Sequence, residues 1–302
     1  MNPQVAKTYY SDYMPLAALV SWLSRAGKIA DYFVGHREFS LTKLSSDKTE
    51  KYLRHLCYKT EQQLRAGLRS HVPMKLDIGP VYNMSPRRFT DSGCEIVLRE
   101  LVFDIDISDY ARRPDGESQD CCSDRGTICQ RCWLFAVCAV EVLQIVLRQQ
   151  IGLQNLLWVF SGRRGVHCWC LDDKVARAST ETRSTIVDYI KSPMAKTPSA
   201  LLPCIERFAD YHGRRPRGPD EAYEAMWPRI DEPVTRTKNH LLKSPLCVHP
   251  ATGRVCVPFD PANVHNFRLQ DVPTAAAIVA GDADALAALR RATQLLQTSV
   301  PQ

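Results

Sequence analysis

The run Leu101-Val-Phe-Asp-Ile-Asp-Ile107 sets two carboxylates inside an otherwise apolar stretch. Side chains alternate between the faces of a β-strand, so Asp104 and Asp106 share one face while Leu101, Phe103, Ile105 and Ile107 share the other. One face packs and the other is acidic. Like charges side by side on a half-buried strand need a cation or solvent to compensate them. Same-face neighbours lie roughly 7 Å apart at the backbone. That spacing lets both carboxylates converge on two divalent ions about 4 Å apart, the arrangement of nucleotidyl and phosphoryl transfer. The competing reading is an edge strand with an exposed acidic face.

Composition narrows the class. A chain of 302 residues with 45% hydrophobic content can bury a substantial core. The net charge of +6 is compatible with a polyanionic partner without requiring one. The first residues lack the apolar segment of a secretory signal, and residues 133–147 are interrupted by Glu141 and Gln144, so neither export nor a membrane span is expected. Twelve cysteines without an export signal read as reduced thiols and metal ligands, placing the chain in a cytosolic or nuclear compartment.

The pattern predicts an α+β chain. Helices are expected over residues 12–34, 133–150, 174–191 and 274–296, with a polar linker and helix at 47–69. Strands are expected at 37–41, 74–79, 101–107, 156–160 and 166–171, with a strand or turn at 229–231. Residues 192–228, rich in proline, arginine and glycine, read as a surface segment around a short helix at 201–211.

Three further constellations carry chemistry. Cys121, Cys122, Cys129 and Cys132 give four thiols within twelve residues, a ligand density suited to a closed structural zinc site. Small buried apolar cysteines are the alternative. The turn Ser161-Gly-Arg-Arg-Gly165 lets Arg163 and Arg164 approach a phosphate chain, with Ser161 and His167 as further donors; a solvated basic turn is the alternative. Lys243 and His249 lie on a second basic element and are candidate ligands to the same nucleotide. Asp231 can close the metal site as a third carboxylate. Acidic pair, basic turn and basic loop together are what metal-assisted nucleotidyl transfer requires.

These segments, with Arg37-Glu-Phe-Ser40, Lys75-Leu-Asp-Ile-Gly79, residues 158–169 and the stretches 239–245 and 248–258, resemble the small catalytic subunit of archaeal and eukaryotic DNA primases, the eukaryotic branch in particular. The resemblance spans most of the chain in the expected order. It implies a mixed α/β catalytic core as a single domain over residues 1–302, with the zinc motif at 121–132 inside it. It also implies catalytic aspartates at Asp104, Asp106 and Asp231, an active-site role for Glu38, and zinc on Cys121, Cys122, Cys129 and Cys132. Nucleotide contacts fall on Ser161, Arg163, Arg164, His167, Lys243 and His249, with Arg54 and Asp77 beside them. Magnesium or manganese serves catalysis in this family. The implied partners are ribonucleoside triphosphates, single-stranded DNA template, RNA primer, a large iron–sulfur subunit and the replicative DNA polymerase alpha complex, in the nucleus. Eukaryotic members carry a longer helical insert than 192–228 allows, so a shortened insert, natural or engineered, is expected here. The rival functions are a repair-type primase-polymerase and a non-catalytic zinc-containing nucleic-acid-binding module.

Overall fold

The computed structural model describes residues 2–44, 49–110, 122, 128–192 and 226–301. Two antiparallel sheets carry the site. In the first, strands β1 (Arg37–Leu44), β2 (Glu50–Leu56), β3 (Lys75–Tyr82) and β4 (Ile96–Leu98) run in the order β2-β1-β3-β4. In the second, β5 (Leu101–Asp106), β6 (Leu156–Phe160) and β7 (Gly165–Cys170) pair in the order β5-β7-β6. Short β8 (Leu242–Lys243) joins β3 in the first sheet, and β9 (Pro258–Phe259) joins β6 in the second.

The helix Gln130–Ile145 is buried nearly all round and packs under the second sheet. Its Trp133 meets Phe160 at 5.6 Å and Phe267 at 5.0 Å, and Trp22 meets Trp169 edge-on at 5.4 Å. By length and composition residues Gln130–Gln150 could cross a bilayer, against the sequence reading. In the fold 67% of that window is buried, as befits a core helix.

Several boundaries differ from expectation, each for a local reason. The 12–34 helix is shorter, Leu16–Leu23, and ends where Arg25 and Ala26 take positive φ. Part of the 47–69 linker is strand β2, an edge strand too polar to show one apolar face. The helix that follows, Glu61–His71, starts where Thr60 Oγ1 accepts from Gln63 N at 3.2 Å. The 174–191 helix is two, Asp173–Ala176 and Thr180–Lys191, because Ser179 caps a new start. The tail likewise splits at Gly281, φ +81°, into Ala275–Val279 and Ala283–Thr298. The helix expected at 201–211 and most of the 192–228 insert lie outside the described residues.

A buried ionic knot ties the two sheets. Glu100, just before β5, accepts from both terminal nitrogens of Arg37 on β1 at 2.9 Å, with Arg25 at 3.4 Å and Arg99 at 3.6 Å. All four side chains are buried. Arg99 also reaches the carbonyl of His240, in the loop leading to β8.

Candidate active site

Asp104 and Asp106 do share a face: Phe103 and Ile105 are buried, while both aspartates are part-exposed. Directly cross-strand residues of an antiparallel pair point to the same side. Asp104 pairs in register with His167 and Asp106 with Gly165, so the acids lie against the basic turn. His167 Nε2 is 3.5 Å from Asp104 Oδ1, Arg164 Nε is 3.7 Å from Asp106 Oδ1, and Arg164 O accepts from Ile107 N at 3.0 Å. Strand β5 does lie at the end of its sheet, but its acidic face is turned to basic residues and not simply to open solvent.

Asp231 arrives from far along the chain. Its N–H donates to Asp104 O at 2.9 Å, and Thr235 Oγ1 donates to Val102 O at 2.8 Å, stitching residues 231–235 alongside β5. Burial pushes the Asp104 carboxyl up to about 7, with Asp231 and Asp106 adding to the effect against the pull of Lys243. Asp109, absent from the sequence reading, is also pushed up by burial and by Asp106 and Asp231. Among the described residues Lys243 and Arg164 stand beside these acids and offset them only in part at Asp104, and clustered hard oxygen donors suit divalent magnesium or manganese.

The Ser161–Gly165 turn is closed on itself. Ser161 N donates to Gly165 O at 2.9 Å and Gly165 N to Ser161 Oγ at 3.0 Å. Both glycines are required: Gly162 sits at φ +87°, and a Cβ on Gly165 would lie 2.1 Å from Ile105 O. Lys243 crosses from the first sheet to donate to Ser161 O at 3.1 Å. His249 packs over the turn, where a Cβ on Gly162 would meet its own at 2.6 Å. Its Nδ1 accepts from Ala251 N at 3.2 Å, which leaves the proton on Nε2. Burial holds His249 down at about 3, with Lys243 and Arg163 adding to it, so it is a neutral donor. Burial, then Lys243 and Lys75, also holds His167 well below its usual range, and its Nδ1 makes no hydrogen bond among the described residues.

The remaining predicted residues line the first sheet. Asp77 pairs in register with Lys243 and is buried, ion-paired to Lys75 at 3.1 Å and 3.5 Å from the Tyr52 hydroxyl. One of its oxygens has no hydrogen bond among the described residues. Glu38, expected among the catalytic residues, is fully buried with both oxygens engaged. Arg54 Nε donates at 2.9 Å, the His55 N–H at 3.1 Å and the Tyr82 hydroxyl at 3.1 Å. That geometry orients Arg54.

Tyr52, Tyr82 and Asp109 follow no period and do not stand out in the sequence, whereas Lys75 lies two residues from Asp77 on one strand, the spacing of the aspartate pair. In the cysteine motif, the sulfurs of Cys122, Cys129 and Cys132 lie within 4.8 Å of one another, close enough to share one ion; Cys121 lies outside the described residues.

The family model of the DNA primase small subunit matches residues 103–261, more than half of the chain. The DNA primase small subunit of Drosophila melanogaster is 31% identical over 365 aligned residues, covering 90% of this chain and 81% of the fly protein. The chain belongs to the DNA primase small subunit family. Primase small subunits of Schizosaccharomyces pombe and Saccharomyces cerevisiae are each 28% identical, covering 88% and 83% of this chain and 75% and 80% of theirs. The fly alignment is longer than the chain's 302 residues, so the fly primase subunit carries residues without a counterpart here. Among solved structures, the polymerase domain of Mycobacterium tuberculosis ligase D in complex with DNA covers 93% of each chain at 14% identity and TM-score 0.48, a likeness too slight to add to the primase assignment.

Proposed function

We propose that this chain polymerises ribonucleotides on a single-stranded DNA template, making the short RNA primers of DNA replication. The observation that carries the reading is the meeting of Asp104, Asp106 and Asp231 with the Ser161–Gly165 turn that Lys243 anchors from the other sheet. In the reaction a primer 3′ hydroxyl gives up its proton to water and its oxygen attacks the α-phosphorus of the incoming triphosphate; the bond from that phosphorus to the oxygen bridging to the β-phosphate breaks, and pyrophosphate leaves. Asp104, Asp106 and Asp231 would hold magnesium or manganese, which would supply Lewis acidity toward the hydroxyl and the departing charge.

The chain's own residues supply the rest. Arg163, Arg164 and Lys243 carry the positive charge that the triphosphate meets. Neutral His167 and His249 donate hydrogen bonds without adding charge, which suits positions packed among lysines and arginines. Glu38 holds Arg54 in its orientation toward the same face, and Asp77 offers an acceptor for the sugar hydroxyls. Zinc on the cysteine motif is structural in this reading, held by Cys122, Cys129 and Cys132 with Cys121 as the fourth ligand. The partners are the large iron–sulfur primase subunit and the polymerase alpha complex, in the nucleus.

The test is extension of a primed poly-pyrimidine template with labelled ATP or dATP in magnesium and in manganese. Preferential ATP incorporation is the expected result. A preference for dATP moves the assignment to a repair-type primase-polymerase, and no incorporation even with the large subunit present overturns it.

A further inference from the structure

Beyond Arg54 the first sheet presents a feature the nucleotide site does not use. On β2, Arg54 and His55 together face the single residue Ser40 of β1, because Leu53 pairs with Leu41 and Leu56 with Phe39. This β-bulge turns two successive side chains toward Glu38: Arg54 at 2.9 Å and His55 Nε2 at 3.8 Å. His55 holds φ at +57°, an uncommon conformation for a residue with a Cβ and one that clusters at functional sites. The twist delivers its ring flat against Phe89, with centroids 3.6 Å apart and planes 4° from parallel. Phe89 is 49% exposed, so its other face is open to solvent, and Tyr52 on the same strand is 51% exposed. Arg87 and Arg88 immediately precede Phe89 and are exposed, Arg88 paired to Asp91 at 2.6 Å, and Arg54 immediately precedes His55.

We propose that the His55–Phe89 stack is a base-stacking platform for the unpaired template strand of DNA entering the active site. Its spacing is close to the roughly 3.4 Å step of stacked bases, so a base laid on Phe89 continues the stack. Arginines for the backbone and exposed rings for the bases are the pairing by which single strands are bound without sequence preference. A template reader needs that tolerance. The proposal rests on the polymerase reading for its choice of strand: bases of the primer and of the incoming nucleotide are paired, and only the template ahead of them offers a free face.

The test needs no catalysis. Anisotropy of a fluorescent oligodeoxythymidylate, without nucleotide or metal, should show Phe89→Ala weakening binding about tenfold and Phe89→Trp restoring it. An abasic strand of equal length should bind parent and variant alike. Phe33→Ala removes another ring, 46% exposed, that packs on Gly35 and His36, and should change nothing. In primer extension the KM for template should rise with Phe89→Ala while that for ribonucleotide stays put. Unchanged oligonucleotide affinity would sink the platform, as would an equal loss on the abasic strand or a rise confined to the ribonucleotide KM. A parent chain that binds the strand through Phe89 yet extends nothing would overturn the polymerase reading and leave the platform standing.

Discussion

Glu100 and Asp104 lie four residues apart on one strand and its approach, and the fold drives their carboxyls in opposite directions. Burial alone pushes both upward. At Glu100 the guanidiniums of Arg37, Arg25 and Arg99 more than reverse it and hold the group at about 2. At Asp104 the lysines, Lys243 foremost, only partly oppose burial, Asp231 and Asp106 add to it, and the group rises to about 7. The first cluster contains its own cations, sealed from water, and fixes one sheet against the other. The second is part-open, and Lys243 offsets it only in part. A cluster whose charge is completed from inside suits a structural role, and one left open with a raised carboxyl suits the proposed entry of ions and substrate.

Removing each carboxylate should therefore fail in different ways. Asp104→Ala should cut primer extension on the order of a thousandfold or more, by analogy with the loss of an electrostatic group at a reacting centre, without lowering the melting temperature. Steady-state extension and a thermal melt of the same preparation check it, and extension at the parental rate would break the contrast. Glu100→Gln should instead cost about 3 kcal/mol or more of folding stability, since it strands buried guanidiniums without a counter-charge. Urea unfolding measures this. A group whose folded pKa is depressed stabilises above its unfolded value and loses that contribution as pH falls through the folded one. The gap between parent and Glu100→Gln should accordingly shrink from about pH 4.5 toward pH 2. A gap that persists at low pH would mean the loss came from packing.

What could be read from sequence follows the same division. Asp104, Asp106 and His167 were legible because buried strands impose a period of two, and two acids in phase on an apolar strand are costly unless a cation meets them. The turn was legible because Gly162 and Gly165 bracket its arginines. Strand β2 was not, because an edge strand exposed along much of its length shows no apolar face; with it went the setting of Arg54, the bulge at His55 and the role of Glu38 as their anchor. Glu38 reads as an acid in an active-site segment, and only the arrival of Arg54, His55 and Tyr82 shows that its oxygens are occupied. The link from Lys243 to Ser161, 82 residues apart in the chain, is invisible to any local pattern. Glu100 stands close to the aspartates in the chain, yet its three arginine partners come from residues 25, 37 and 99, and no spacing joins them.

A smaller effect sharpens the comparison from the acidic side. The Asp104 carboxyl is raised from its ordinary value to about 7, so between roughly pH 4 and pH 7 the folded metal-free protein keeps a proton that the unfolded chain releases. Stability from this group therefore falls as pH rises through that window and is flat above it. Asp104→Asn keeps the shape and removes the charge, so with chelator present it should melt a few degrees above the parent at pH 8 and at the same temperature at pH 4. Manganese should then raise the melting temperature of the parent at pH 8 far more than that of the variant, because the ion supplies the charge that Glu100 already receives from its arginines. Equal melting temperatures at pH 8 without metal would mean that ionising Asp104 costs the fold nothing, so that neither its burial nor Asp231 and Asp106 raise it, and the contrast between the two clusters would fall.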